Sequence, residues 1–177
     1  MNDVMWLLAL AFAIGGGWMD WRSRRLPNWW TVPGLVIGVA LNAALLGWAG
    51  ARGSLIGAGV GLLVLFPFVW IRAMGAGDWK MAGALGALLG ARQLLILLWV
   101  AAIAAGVMAV IEILRRKRVR QTLSNIGQLI LSVVTLGRRG GRREVSLDNP
   151  RATTVPFGVA VALAAVICFA GRWLVRG

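Results

Sequence analysis

Long apolar stretches separated by short, polar and mostly basic connectors make up this chain. The apolar runs cover 4–19, 31–49, 54–73, 81–90, 93–114 and 154–175. Most approach the ~20 residues that an α-helix needs to cross a hydrocarbon core. The run at 81–90 is too short alone, and becomes a span over 77–90 if the glycine-rich segment before it lies at membrane depth against protein. The pattern therefore predicts an all-α fold: a polytopic membrane bundle of six transmembrane helices, forming one integral membrane domain over residues 1–177. The stretch 4–19 follows the acidic Asp3, and no small-residue cleavage site precedes Asp20. It reads as a retained helix rather than a signal peptide.

Residues 115–153 form the one sizeable non-membrane segment in this reading. Val119, Leu123, Ile126, Ile130 and Val133 recur there at helical spacing, with Gln121, Ser124, Asn125, Gln128 and Ser132 between them. This predicts an amphipathic helix on the cytoplasmic leaflet, flanked by arginine clusters. It serves either as a membrane-hugging connector or as a substrate-docking element.

Composition supports a lipid environment. Hydrophobic residues make up 59% of the chain and the mean hydropathy is +0.79, more apolar surface than a domain of 177 residues can hide from water. The net charge of +13 takes its meaning from where the charges sit. With six spans, fifteen of the 19 lysines and arginines fall on one side, and Arg52, Arg92, Arg172 and Arg176 fall on the other. If 77–90 did not cross, the basic segment 115–151 would face outward, against the positive-inside rule. Six spans, with both termini outside and the 115–153 loop in the cytoplasm, is the expectation. The basic loops then meet anionic lipid headgroups, and no nucleic acid partner is expected. Oligomeric state is left open.

Several chemistries are excluded. The single cysteine, Cys168, has no partner for an intrachain disulfide or a cysteine zinc site, and the chain has no histidine. Ser-His and Cys-His pairs are therefore impossible, and no metal or cofactor is expected.

The acidic residues are Asp3, Asp20, Asp78, Glu112, Glu144 and Asp148. Asp3 is near the terminus, Glu144 and Asp148 belong to the loop, and Glu112 is placed to pair with Arg115 or Arg116 one turn on. Asp20 and Asp78 are different, because each stands where a span meets the cytoplasmic interface. Ionisable groups at such a depth are costly and mark candidate functional sites. Taken singly, each also reads as a helix-end carboxylate paired with a nearby arginine. Their surroundings sharpen the choice. Asp78 stands in Gly75-Ala76-Gly77-Asp78-Trp79-Lys80, where two glycines let the backbone take positive φ and pack closely just before a helix, leaving room for an extended backbone close to Asp78. Asp20 is followed by a basic connector ending in Leu26-Pro27-Asn28, a turn before the second span. Trp29, Trp30 and Trp79 read as interfacial anchors.

These two motifs resemble those of the type IV prepilin peptidases, membrane aspartate peptidases of the GxGD class. Asp20 through Asn28 match the family's first aspartate, basic stretch and Pro-Asn pair. Gly75, Gly77, Asp78 and Lys80 match every fixed position of its GxGDxK motif. The span pattern and Val155-Pro156-Phe157-Gly158 also look like the family. The form is similar to the short peptidases of Flp-type (tight adherence) pili. Larger members carry a zinc-binding cysteine quartet and a methyltransferase activity, which one cysteine cannot supply.

The resemblance implies an aspartic endopeptidase of the bacterial inner membrane. It would cut the basic leader from a membrane-inserted prepilin at the cytoplasmic face, with Asp20 and Asp78 catalytic and Gly75, Gly77, Lys80, Pro27 and Asn28 supporting the motifs. Helix polarity separates the two acids. Asp20 ends a helix, where negative charge is disfavoured, and Asp78 begins one, where it is favoured. Asp20 is therefore expected to hold the shared proton, unless Arg22, Arg24 and Lys80 reverse the order. The rival classes are a small ion- or proton-coupled transporter and a noncatalytic subunit of a pilus or secretion assembly.

Overall fold

The computed structural model describes residues 3–71, 74–116 and 156–174, in which every regular element is an α-helix. These helices are α1 (Asp3–Ser23), α2 (Asn28–Trp70), α3 (Ala76–Leu89), α4 (Ala91–Arg116) and α5 (Phe157–Leu174). α1, α2, α4 and α5 are each long and apolar enough to cross a bilayer, which makes the chain a multi-pass membrane protein. The amphipathic helix expected over 119–133, with most of the 115–153 loop, lies outside the described residues.

The second and third expected spans are the two helical arms of α2, a 43-residue stretch divided by a kink. Its regularity breaks at a single residue, Gly47, with φ 61° and ψ −147°. That positive φ is open to glycine at little cost. The chain doubles back there, as contacts with α3 show. Along the first arm of α2, Asn28 meets Lys80 and Gly38 meets Ala87, so this arm runs parallel to α3. Along the second, Gly57 meets Gly86, Gly61 meets Ala82 and Leu62 meets Trp79, so this arm runs antiparallel. Near the reversal, Asn42 Nδ2 and Ser54 Oγ, one from each arm, both donate to the Ala87 carbonyl, at 2.9 and 2.6 Å. Polar side chains so placed hold the two arms to α3 without leaving a donor unpaired in an apolar setting.

α3 has only 14 residues, about 21 Å at 1.5 Å per residue. Every residue from Met81 to Leu89 is buried, so this short rod lies inside the bundle. Gly90, at φ 76°, turns the chain into α4.

Side-chain size is distributed as lipid solvation demands. Ala9, Ala13, Ala84, Ala87, Ala160, Ala164 and Ala165 are fully buried, while Leu63, Trp48 and Leu174 are 74%, 81% and 82% exposed. Small residues inside let helix backbones approach closely, and large apolar ones outside suit hydrocarbon. α1 and α5 run antiparallel. At one end Arg172 pairs with Asp3 at 3.0 Å and lies 5.4 Å from the Trp6 ring centroid. At the other end, Gly158 meets Asp20.

Candidate active site

Asp20 sits in the last turn of α1. That helix ends because Arg24 takes a left-handed φ of 50° and returns its N–H to the Asp20 carbonyl at 2.8 Å. The following residues, Arg25 to Pro27, carry the chain to α2, whose N-cap is Pro27. The Pro27 carbonyl accepts from the amides of Trp30 and Thr31, at 3.1 and 3.3 Å. Proline suits a helix start, where its missing N–H costs nothing.

The Asp20 side chain is buried, and its Oδ2 accepts the Gly158 N–H at 2.8 Å. Arg24 also acts on it electrostatically. Asp78 occupies the third position of α3, whose N-cap is Gly75, and its carboxylate turns back to the Gly75 N–H. This is the reach-back half of a capping box, with aspartate in place of the usual glutamate.

The two carboxylates come together although they are 58 positions apart in sequence. Asp78 lies within electrostatic reach of Asp20. One turn before Asp20, a Cβ on Gly16 would stand 2.9 Å from the end of Met81, which is three residues beyond Asp78. On the other flank, a Cβ on Gly77 would stand 2.8 Å from Leu26 Cβ. The connector after Asp20 and the turn that carries Asp78 are thus in contact. Lys80 Nζ donates to Asn28 Oδ1 at 2.8 Å and joins the two motifs a second time.

All seven residues singled out in sequence, Asp20, Pro27, Asn28, Gly75, Gly77, Asp78 and Lys80, gather at one end of the bundle. Some expectations change in detail. The space beside Gly77 is filled by Leu26 rather than left to a substrate. Trp29 is 66% exposed. Trp30 and Trp79 instead pack inward. Trp30 stacks on Phe12 at 5.6 Å and donates to the Phe12 carbonyl, and Trp79 Nε1 donates to the Leu62 carbonyl at 2.6 Å. Gly158 has a contact with Asp20 that spacing along the sequence does not disclose. Its sequence signal is the Val155-Pro156-Phe157-Gly158 entry to the last span, which resembles the family but does not name Asp20 as its partner. Its position also weakens the polarity argument, because Asp20 now meets the N-terminal turn of α5 as well as the C-terminal turn of α1. Helix ends of opposite sign act on the same carboxylate.

Against this geometry stand the comparisons with known proteins. A prepilin leader peptidase/N-methyltransferase of Xanthomonas campestris pv. campestris is 28% identical over 174 residues, covering 94% of this chain and 50% of that protein. The chain thus spans about half the length of that curated relative. No solved structure matches. The model of the type IV leader peptidase family matches residues 5–110, a stretch that contains both aspartates and both arms of α2. The chain belongs to the type IV leader peptidase family.

Proposed function

We propose that this chain is an aspartic endopeptidase that removes the basic leader of type IV, Flp-like prepilins at the cytoplasmic face of the bacterial inner membrane. The observation that carries the reading is the approach of Asp20 and Asp78 at one end of a mostly apolar bundle. Family membership narrows the chemistry to which such a pair is put.

Peptide hydrolysis by two carboxyl groups follows from their shared site. Two carboxylates within electrostatic reach of each other do not both ionise easily, and in this reading the pair holds one proton between them. The ionised member takes a proton from water as the water attacks the scissile carbonyl. The protonated member donates a hydrogen bond to the carbonyl oxygen, where negative charge develops. The proton gained from water then passes to the departing amine. A substrate already inserted as a membrane helix reaches the site by lateral diffusion, so the enzyme needs little intrinsic affinity for it.

The cytoplasmic orientation rests on charge. With the two arms of α2 and the α3 rod taken as separate crossings, the aspartates share a side with fifteen of the 19 basic residues. The experiment is co-expression with a prepilin that carries its leader. D20N and D78N should each leave the leader attached while the protein still accumulates in the membrane. Complete processing by either variant would falsify the aspartate-pair mechanism.

A further inference from the structure

We infer that Gly158, in the first turn of α5, is a positioning residue for Asp20: its N–H holds one carboxylate oxygen, and its missing side chain is the space that the carboxylate occupies. The inference rests on the peptidase reading above and extends the site to a helix beyond residues 5–110, the part matched by the family.

Two features of Gly158 act together. Its N–H donates to Asp20 Oδ2 at 2.8 Å in a buried setting. Amides in the first turn of a helix have no partner within that helix, so this one is available to an outside acceptor. In addition, a Cβ at position 158 would stand 2.8 Å from Asp20 Cβ, 3.0 Å from Oδ2 and 3.2 Å from Cγ. Every other amino acid carries that atom, so glycine alone admits the carboxylate where it now lies.

Packing around the bond fixes its height along α1. A Cβ on Gly17 would stand 2.9 Å from the Gly158 carbonyl oxygen and 2.8 Å from Ala162 Cβ, so α1 and α5 touch almost backbone to backbone here. Asp78 has its own backbone donor, the Gly75 N–H three residues away. Asp20 receives its donor from 138 residues away. A backbone amide has no rotamers and does not titrate, so it fixes one oxygen and leaves the other for water, the carbonyl or the partner acid.

The test is leader cleavage by the full chain in proteoliposomes, with kcat and KM measured separately on a prepilin substrate. G158A should lower kcat about 10- to 100-fold and keep KM within about twofold, because the carboxylate is displaced while substrate capture is untouched. G171A lies in the same helix with open space around it and should match the wild type. If G158A fails to accumulate, G17A serves instead. It pushes α1 from the Gly158 carbonyl without entering the carboxylate's own space, and should likewise lower kcat at constant KM. Wild-type kcat in a folded G158A or G17A overturns the inference, as does a loss of activity that merely tracks the loss of folded protein. In either event, cleavage by the wild type and none by D20N leaves the peptidase reading standing. A wild-type chain that never removes the leader overturns both.

Discussion

Leu26 and Gly77 meet with no room for a side chain between them: a Cβ on Gly77 would lie 2.8 Å from Leu26 Cβ, 3.1 Å from its carbonyl oxygen and 3.3 Å from its nitrogen. Two of those neighbours are backbone atoms, which cannot swing aside as a side chain does. G77A should therefore push the Asp20 connector away from the first turn of α3 and cut leader cleavage about 10-fold or more. G75A should be milder. Gly75 has φ −69°, and a Cβ there makes only an ordinary 3.4 Å contact with Asp78 Oδ2. Cleavage rates of the two variants, side by side, check whether the two glycines of the motif have these separate roles.

The core contact between the second arm of α2 and α3 should be equally intolerant. A Cβ on Gly57 would run into the Gly86 carbonyl, and one on Gly86 would run into the Gly57 carbonyl. G57A and G86A should each destabilise the bundle by about 1–3 kcal/mol through overpacking. Gly59 lies between them in sequence but has open space. G59A should be neutral or stabilise by up to about 1 kcal/mol, since alanine is the better helix former. Unfolding in detergent, followed by loss of helical signal, separates the two groups.

Lys80 and Asn28 join the two motifs through an exposed hydrogen bond of 2.8 Å. Exposure limits its contribution, so a double-mutant cycle with K80M and N28A should give a coupling energy of about 0.5–1.5 kcal/mol. Coupling near zero would mean that the bond does not hold the motifs together. The cleavage rate of each single variant should fall less than that of D20N or D78N, because neither side chain supplies a carboxyl group.

Topology is testable with single cysteines in a C168A background. Ser23 is exposed just before the connector to α2, while Arg52 and Arg92 are exposed near the opposite end, beyond Gly47 and Gly90. In spheroplasts, R52C and R92C should react with an impermeant thiol reagent, and S23C only after the membrane is opened. Labelling of S23C from outside would invert the proposed orientation.

Much of the fold was legible because apolar runs and loop charge report directly on lipid solvation. The first helix, expected over 4–19, runs from Asp3 to Ser23, and the short fourth segment, expected over 77–90, is Ala76–Leu89. Where α2 turns was less legible. Gly47, Gly50 and Gly53 all punctuate the same stretch, and hydropathy does not say which will take the positive φ; packing of both arms on Ala87 selects Gly47. The gathering of Asp20 and Asp78 was legible as two motifs on one side of a membrane. Gly158 stood out in the Val155-Pro156-Phe157-Gly158 segment, but its bond to Asp20 was not legible, since a backbone donor has no chemical signature in sequence. The inward packing of Trp30 and Trp79 was also hidden, because an indole beside a basic connector looks the same whether it meets headgroups or a carbonyl.

The bond between Asp20 and Gly158 joins the first described helix to the last, across 138 residues. A ribosome that has made Asp20 must add all of them before the donor exists, and closing so long a loop is among the slower steps of assembly. Helices α1 to α4 can insert and pack beforehand. Asp20 acquires its final orientation only when α5 arrives, so a nascent chain holds both acids before the site they form, and competence is timed to the insertion of α5.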